Sequence, residues 1–256
     1  MLEEKILSIS QPTEIVVLPE MFSTGFSMQP ERFAESMDGE TVQWMKKISA
    51  TKKVILTGSL IISDRTPGGE AYFNRLIWML PNGQCGTYDK RHLFAYGDED
   101  RHYARGTKRL IASVKGWRIN LLVCYDLRFP VWSRQSPKPL EEADTPERNP
   151  SDGFEYDVLI CVANWPERRN TAWKTLLQAR AIENQCYVVG VNRVGNDGSN
   201  IYHAGDSMVI DPLGEIVYHK KDEEDIFTVT LQGSHLEKTR EKFPFWKDAD
   251  AFNIEN

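Results

Sequence analysis

The sequence predicts an α/β protein with a mixed sheet, because short apolar runs of strand length alternate with segments of helical periodicity. Runs of this length and composition are typical of buried strands. Two junctions between runs, Pro81–Gly83 and Asp211–Gly214, carry the Asn, Asp, Pro and Gly residues of tight turns. Strands that flank such turns pair antiparallel, whereas strands separated by a helix favour parallel pairing. Both kinds of pairing are therefore expected.

The elements follow in order along the chain. The predicted strands are Ile15–Leu18, Val54–Ile62, Tyr72–Leu80, Cys85–Tyr88, Trp117–Val123, Asp157–Ala163, Cys186–Val191, Met208–Ile210, Glu215–His219 and Phe227–Leu231. The clearest helix is Thr171–Gln185, where Trp173, Leu177 and Ala181 recur at helical spacing. A second helix is predicted over Glu40–Thr51. We expect helices packed on sheets.

One domain is predicted over residues 1–256, since no repeat or long low-complexity linker divides the chain. The exceptional segment is Ser133–Gly153, which is rich in proline and charge and lacks apolar periodicity. We predict an insertion loop there. A segment of this length is either a lid over a site or a surface insertion, and the sequence leaves both open.

Composition excludes several classes of protein. The 256 residues carry a net charge of -6, which argues against a nucleic-acid partner because phosphate binding depends on clustered Lys and Arg. No run approaches the roughly 20 apolar residues needed to cross a bilayer, and the N-terminus lacks a signal-peptide pattern. We therefore expect a cytoplasmic protein without a membrane partner.

The four cysteines are widely spaced, which predicts reduced thiols and no zinc site. Cys124 stands directly after the apolar run Trp117–Val123, where a nucleophile would be exposed but rigidly held. Taken alone, it would more often be a small core residue. Cys161 and Cys186 lie within or beside apolar runs and are assigned to packing, and Cys85 fits a turn.

Two further positions suggest chemistry with a thiol. Glu20 follows an apolar run and a proline, where a carboxylate needs a partner, and it could serve as a general base or simply as a salt-bridged strand end. Lys90 follows Cys85–Tyr88 and could stabilise an oxyanion, although either Lys90 or Arg91 could be solvated. Taken singly, Glu20 is better explained as a salt-bridged strand end than as a general base. Position in the sequence alone does not show whether Lys90 or Arg91 is the cation that acts with the thiol.

The three positions acquire a function through their surroundings. The segments VLPEMFSTGFSM, YDKRHLF, LVCYDLRFPVWSR, VANWP, QARAIENQ, GVNRVGNDG and REKFPFWKDAD run through nearly the whole chain. In order and local sequence they resemble the nitrilase superfamily of carbon–nitrogen hydrolases, and within it the omega-amidase branch. The resemblance implies a four-layer α-β-β-α sandwich assembled into a homodimer or larger homo-oligomer.

The resemblance also implies roles for individual residues. Cys124 would be the nucleophile, Glu20 the general base and Lys90 the oxyanion stabiliser, together with the backbone N–H of Tyr125. A second glutamate of the family matches Glu99, with Asp98 as the less favoured candidate. The alternative for Glu99 is a solvated acid of an acidic loop. No metal and no cofactor are expected.

Substrate binding needs a cation if the substrate is an amide with a distant carboxylate. Arg128 is our hypothesis, because a guanidinium binds carboxylate through paired hydrogen bonds; the alternative is a structural arginine paired with Asp126 or Glu99. Trp165 could wall the pocket or belong to the core. A Cys–His pair with His92 or His203 as base is less favoured, since neither lies in a distinctive motif.

The implied activity is hydrolysis of the omega-amides of 2-oxo dicarboxylates, alpha-ketoglutaramate and alpha-ketosuccinamate. One rival is another amidase or N-carbamoyl amine hydrolase of the same superfamily, because these residues define the reaction and not the substrate. Another is a binding protein without activity. One departure from the family is expected at the N-terminus, where a first strand and most of a helix have no counterpart before LEEKILSI.

Overall fold

The computed structural model describes residues 2–135 and 153–254. Its strands are β1 (Ile15–Val17), β2 (Ile55–Thr66), β3 (Gly69–Met79), β4 (Cys85–Asp89), β5 (Ile111–Val114), β6 (Trp117–Val123), β7 (Val158–Ala163), β8 (Tyr187–Asn192), β9 (Val194–Asn196), β10 (Tyr202–Ile210) and β11 (Ile216–Lys221). Its α-helices are α1 (Leu2–Ser8), α2 (Pro30–Phe33), α3 (Glu40–Lys52), α4 (Glu99–His102), α5 (Pro130–Ser133), α6 (Asn170–Asn184) and α7 (Gly233–Lys242). Short 3₁₀ turns include Cys124–Arg128 and Glu167–Arg169.

These strands form two mixed sheets. The four-stranded sheet has the order β1-β2-β3-β4, with β1 parallel to β2 and the other pairs antiparallel. The seven-stranded sheet runs β11-β10-β8-β7-β6-β5, and β9 pairs with β10. Its centre, β6-β7-β8, is parallel. The predicted mixture of pairing directions is confirmed.

The layers follow from the alternation of side chains along the strands. Ile77 and Met79 of β3 pack with Met45 of α3 on one face of the four-stranded sheet. Leu76 and Trp78, which point the other way, join the core shared with the seven-stranded sheet. Both faces of the small sheet are thus covered, one by a helix and one by the other sheet.

The outer face of the seven-stranded sheet is covered by α6. Trp173, Leu177 and Ala181 of this helix are fully buried in the shared core, at the helical spacing the sequence predicts. Gly190 of β8 permits the close approach, since a Cβ there would lie 2.5 Å from a Leu177 methyl. The resulting arrangement is an α-β-β-α sandwich.

The predicted strand Phe227–Leu231 is wrong: no regular structure is assigned there. A strand needs a neighbour whose backbone groups complete its hydrogen bonds, and no described strand pairs with this segment. Instead the segment and β1 line one cavity of about 850 Å³. An apolar run alone does not reveal whether a partner strand is present.

Several elements carry too weak a sequence signal to be predicted. Helix α7 buries Leu236, Thr239 and Arg240, so most of its inward face is polar. Helix α1 and strands β5 and β9 are short.

Most of the predicted loop Ser133–Gly153 lies outside the described residues, so it remains a prediction, as does the single domain. None of the helices within 2–135 and 153–254 is both long and apolar enough to span a bilayer.

Candidate active site

The site forms where strands of both sheets end. Glu20 follows β1, Lys90 follows β4, and Cys124 follows β6. Asn164 follows β7 and bonds directly to Glu20, which joins the two sheets at this point. The site therefore rests on strand ends, which hold side chains more rigidly than a long loop would.

Lys90 lies between two glutamates. Its Nζ is 3.1 Å from Glu20 Oε1 and 2.8 Å and 3.0 Å from the carboxylate oxygens of Glu99. All three side chains are essentially inaccessible to solvent. A buried ammonium and two buried carboxylates are tolerable only because each satisfies the others.

Two asparagines complete the hydrogen bonding of the acids. Asn74 of β3 donates to Glu20 Oε1 at 2.7 Å and to Glu99 Oε1 at 3.2 Å. The Asn164 N–H donates to Glu20 Oε2 at 2.7 Å, and its side chain donates to the Glu20 carbonyl at 2.5 Å. Sequence reasoning missed both residues. The available signal was an Asn within or directly after an apolar strand, where its amide must find a partner.

Cys124 is placed by a strained turn. Its φ is +47°, a left-handed conformation that a residue with a Cβ rarely adopts. Such strain persists only where neighbouring contacts enforce it, and it concentrates at functional sites. The turn leaves Cys124 partly accessible, whereas Cys161 and Cys186 are fully buried, in agreement with the packing role expected for them.

The electrostatics of the cluster favour a neutral thiol at rest. Burial raises the pKa of Cys124 well above its ordinary value, and the nearby Glu20 carboxylate raises it further. Lys90 opposes this effect. The pKa of Lys90 is itself raised by Glu20 and Glu99, against the opposing effect of its own burial, so it stays an ammonium. Burial raises the pKa of Glu99.

One buried carboxylate braces the nucleophile turn. Asp126 Oδ2 accepts hydrogen bonds from the Val123 N–H at 3.0 Å and the Tyr88 hydroxyl at 2.7 Å. Its Oδ1 lies 2.9 Å from the His92 backbone N and 2.8 Å from His92 Nδ1. Asp126 therefore connects the turn that carries Cys124 to the segment that carries Lys90. Sequence reasoning considered it only as a partner for Arg128.

Comparison with known proteins agrees with this geometry. The sequence profile of the Carbon-nitrogen hydrolase family matches residues 2–241. This chain belongs to the carbon–nitrogen hydrolase family. It is 42% identical over 245 residues to the Omega-amidase YafV of Escherichia coli strain K12, covering 94% of this chain and 86% of that protein. It is 31% identical over 242 residues to the 2-oxoglutaramate amidase of Bacillus subtilis strain 168, covering 93% and 86%.

Solved structures agree on the fold. The crystal structure of a CN-hydrolase superfamily protein from Xanthomonas campestris, with an arsenic adduct in its active site, superposes with a TM-score of 0.90. That protein is 42% identical, and the match covers 99% of this chain and 91% of that chain. The nitrilase-superfamily fold is thus confirmed. The family and its amidase relatives show that this protein is an enzyme that hydrolyses carbon–nitrogen bonds.

The remaining predicted residues of this carbon–nitrogen hydrolase lie on the turn that carries Cys124 or pack against it. Arg128 lies at the end of the nucleophile turn, with its guanidinium carbon 5.0 Å from the centroid of the Trp165 ring. Trp165 is buried in the core shared by the two sheets, and its role as a wall of the substrate pocket stays a prediction. Tyr125 is partly exposed and packs edge-on against Phe94, at 5.0 Å between ring centroids.

The alternatives raised from the sequence can be compared with these contacts. In the described part of the chain, Arg128 forms no ion pair with Asp126 or Glu99. Asp98 is exposed and pairs with Arg101, whereas Glu99 is buried against Lys90. His92 bonds to Asp126 and His203 to the Ile201 carbonyl. Within 2–135 and 153–254, no three His, Cys, Asp or Glu residues are grouped as metal ligands.

Proposed function

We propose that this hydrolase is an omega-amidase that converts alpha-ketoglutaramate and alpha-ketosuccinamate to the 2-oxo acid and ammonia through a thioester on Cys124. The observation that carries the proposal is the buried ammonium of Lys90 held between Glu20 and Glu99, close enough to Cys124 that Glu20 and Lys90 both shift the pKa of its thiol. A nucleophile, a base and a cation at one point are what amide hydrolysis requires.

The first step is attack on the carboxamide. Glu20 takes the thiol proton as the Cys124 sulfur bonds to the carbonyl carbon, and the carbonyl electron pair moves onto oxygen. The raised pKa of the thiol makes this proton transfer necessary, because little thiolate exists at neutral pH. The Lys90 ammonium and the Tyr125 N–H would stabilise the oxyanion, an effect that typically contributes about 100- to 1,000-fold per donor.

The next steps use the same carboxyl group. The oxyanion collapses, the carbon–nitrogen bond breaks, and Glu20 returns its proton to nitrogen, so that ammonia leaves and a thioester remains. Glu20 then takes a proton from water as the oxygen attacks the thioester. The carbon–sulfur bond breaks and the sulfur regains a proton from Glu20. The net reaction consumes one water and needs no cofactor.

The proposed substrate class rests on charge. Arg128 stacks on Trp165 next to the nucleophile turn and forms no ion pair within the described residues, although the chain carries a net charge of -6. A guanidinium without a protein partner suits a substrate carboxylate. The names of the relatives, omega-amidase and 2-oxoglutaramate amidase, support the same class of substrate.

The experiment measures ammonia release from alpha-ketoglutaramate, from N-carbamoyl amines and from simple aliphatic amides. We expect turnover of alpha-ketoglutaramate by the wild type, loss of turnover in Cys124→Ala, and a Michaelis constant raised about 10-fold or more in Arg128→Met. Arg91→Met serves as the control, because Arg91 packs over the ring of Trp132, whereas Arg128 packs over that of Trp165. Turnover of N-carbamoyl amines or simple aliphatic amides alone would instead favour the rival amidases. Absence of turnover with every substrate would favour the binding protein.

Two further expectations remain proposals. We propose a cytoplasmic location and a homodimer or larger homo-oligomer. Light scattering on the purified full chain measures the oligomer directly, with a mass of about twice the protomer or more expected. A mass equal to that of one protomer at micromolar concentration would contradict the proposed oligomer.

A further inference from the structure

A second arginine, Arg169, contacts the same tryptophan as Arg128. Arg169 closes the 3₁₀ turn Glu167–Arg169 after β7, and its carbonyl accepts a 2.8 Å hydrogen bond from Trp165 Nε1. The Arg128 guanidinium lies over the same indole, 5.0 Å from the ring centroid. Trp165 therefore holds both residues, one through its ring face and one through its N–H.

The Arg169 side chain reaches toward the nucleophile. Its guanidinium carbon lies 5.1 Å from the centroid of the Phe94 ring. That ring packs against Tyr125, the residue after Cys124, and the Phe94 N–H donates to Glu99 Oε2 at 2.6 Å. Phe94 thus joins Arg169 to the residues around the thiol.

Arg169 also has no acidic partner among the residues that the structure describes. Across residues 2–135 and 153–254, neither Arg128 nor Arg169 forms an ion pair, although both are only partly accessible to solvent. Partial burial, Arg168 and Arg128 lower the pKa of Arg169, whereas negative charge on Cys124 raises it. Two guanidiniums close enough to affect each other repel, and an anion between them removes that cost.

We propose that Arg169 is a specificity-determining residue that binds, together with Arg128, the anionic end of the substrate, and so selects amides that carry a carboxylate. The inference rests on the proposed function for the identity of that substrate. Two guanidiniums offer enough N–H donors for both carboxylate oxygens and for an adjacent 2-oxo group. A neutral amide would leave them unpaired in a partly desolvated site.

The chain supplies a matched control, because Arg168 is the adjacent arginine and is exposed. We expect Arg169→Met to raise the Michaelis constant for alpha-ketoglutaramate about 10- to 100-fold, the usual effect of losing a charge-assisted hydrogen bond. Arg168→Met should stay within about 2-fold of the wild type on the same scale. Thermal unfolding of each variant verifies that it is folded.

A second measurement does not depend on turnover. Iodoacetate and iodoacetamide alkylate a thiol by the same displacement and differ in charge, and peptide mass spectrometry follows Cys124 apart from the exposed Cys85. We expect Arg169→Met to lower the ratio of the iodoacetate rate to the iodoacetamide rate several-fold, and Arg168→Met to leave it unchanged.

The outcomes separate the two proposals. If the wild type turns over alpha-ketoglutaramate and Arg169→Met behaves like Arg168→Met in both assays, the inference is overturned and the proposed function stands. If the wild type releases no ammonia from alpha-ketoglutaramate but Arg169→Met still lowers the alkylation ratio, the anion site stands and the proposed function fails.

Discussion

The Lys90 ammonium contacts both carboxylate oxygens of Glu99, with Nζ 2.8 Å from Oε2 and 3.0 Å from Oε1. This paired contact fixes the position of the ammonium independently of Glu20, which lies on its other side at 3.1 Å. Glu20 can therefore accept and release a proton while Lys90 stays in place. Glu20 thus transfers protons, whereas Glu99 positions the Lys90 ammonium.

Replacing Glu99 by Gln should lower kcat while KM changes little. A Gln side chain has one acceptor oxygen, whereas Lys90 and the Phe94 N–H together use both oxygens of Glu99. Losing a hydrogen bond to a charged group costs about 1.5–3 kcal/mol, which corresponds to roughly 10- to 100-fold in kcat. Steady-state kinetics on purified variants measure kcat and KM. Asp98→Asn, at the exposed neighbouring acid, is the control, and equal kinetics in the two variants would contradict the prediction.

Replacing Asp126 by Asn should slow the enzyme through the turn that carries Cys124. Asn has one acceptor oxygen, but the Val123 N–H, the His92 N–H and the Tyr88 hydroxyl all donate to Asp126. We expect kcat and the rate of Cys124 alkylation to fall together by about 10-fold or more.

A graded control tests this positioning role. Tyr88→Phe removes only one of the donors to Asp126 and should give a smaller loss in both rates than Asp126→Asn. A purely structural role would lower the melting temperature and leave the alkylation rate of the folded protein unchanged. That result would count against the prediction.

The raised pKa of Cys124 predicts the pH dependence of its reaction with iodoacetamide. Only the thiolate reacts, so in the absence of substrate the rate should keep rising with pH through the ordinary thiol pKa of 9.0. Lys90→Met should shift the profile further toward high pH, because Lys90 lowers the pKa of this thiol. Mass spectrometry of the Cys124 peptide between pH 6 and 10 measures both. A rate that levels off near pH 7 would be incompatible with a neutral resting thiol.

The buried carboxylate of Asp157 pairs with two arginines away from the site. Asp157 Oδ1 lies 2.7 Å from Arg240 Nη1 and 2.7 Å from Arg118 Nη2, and Arg240 is fully buried. Asp157→Asn removes a carboxylate charge that lies in direct contact with that buried guanidinium. We therefore expect the free energy of unfolding at pH 7 to fall by about 3–5 kcal/mol.

The pH dependence of this effect has a defined sign. Hydrogen bonds from Arg118 and the charge of Arg240 outweigh burial and hold the pKa of Asp157 below its ordinary value of 3.8. Its contribution is therefore complete above 3.8 and is lost as pH falls through the lowered pKa. Urea unfolding should show the same difference between wild type and variant at pH 7 and pH 5, and a smaller one below pH 3.8. A difference that grows on acidification would refute this assignment.

The sequence predicted the elements that bury apolar side chains in a regular pattern. Trp117–Val123 has the predicted bounds, and α6 begins and ends within one residue of its predicted limits. Phe227–Leu231 has the same apolar character and forms no strand, because pairing depends on a neighbour that the segment itself does not encode. Helix α7 was missed since its buried face includes Thr239 and Arg240.

Some residues of the candidate site could likewise be predicted from the sequence, and others could not. Glu20, Lys90 and Cys124 each follow a predicted strand, so their positions at strand ends could be read from the chain. Asn74 and Arg169 could not, because their importance comes from contacts with residues distant in sequence. Asn74 touches Glu20 and Glu99 across the sheet, and Arg169 packs on Phe94. An asparagine in an apolar strand signals only that its amide needs some partner, and an arginine in a turn has no pattern that marks it.

The most direct test of the account is a mass spectrum of the protein quenched in acid during turnover of alpha-ketoglutaramate. We predict an acyl group on the peptide that contains Cys124, absent from Cys124→Ala, which should also release no ammonia. An acyl group on Cys85, Cys161 or Cys186, or undiminished ammonia release by Cys124→Ala, would contradict the claim that this thiol is the nucleophile.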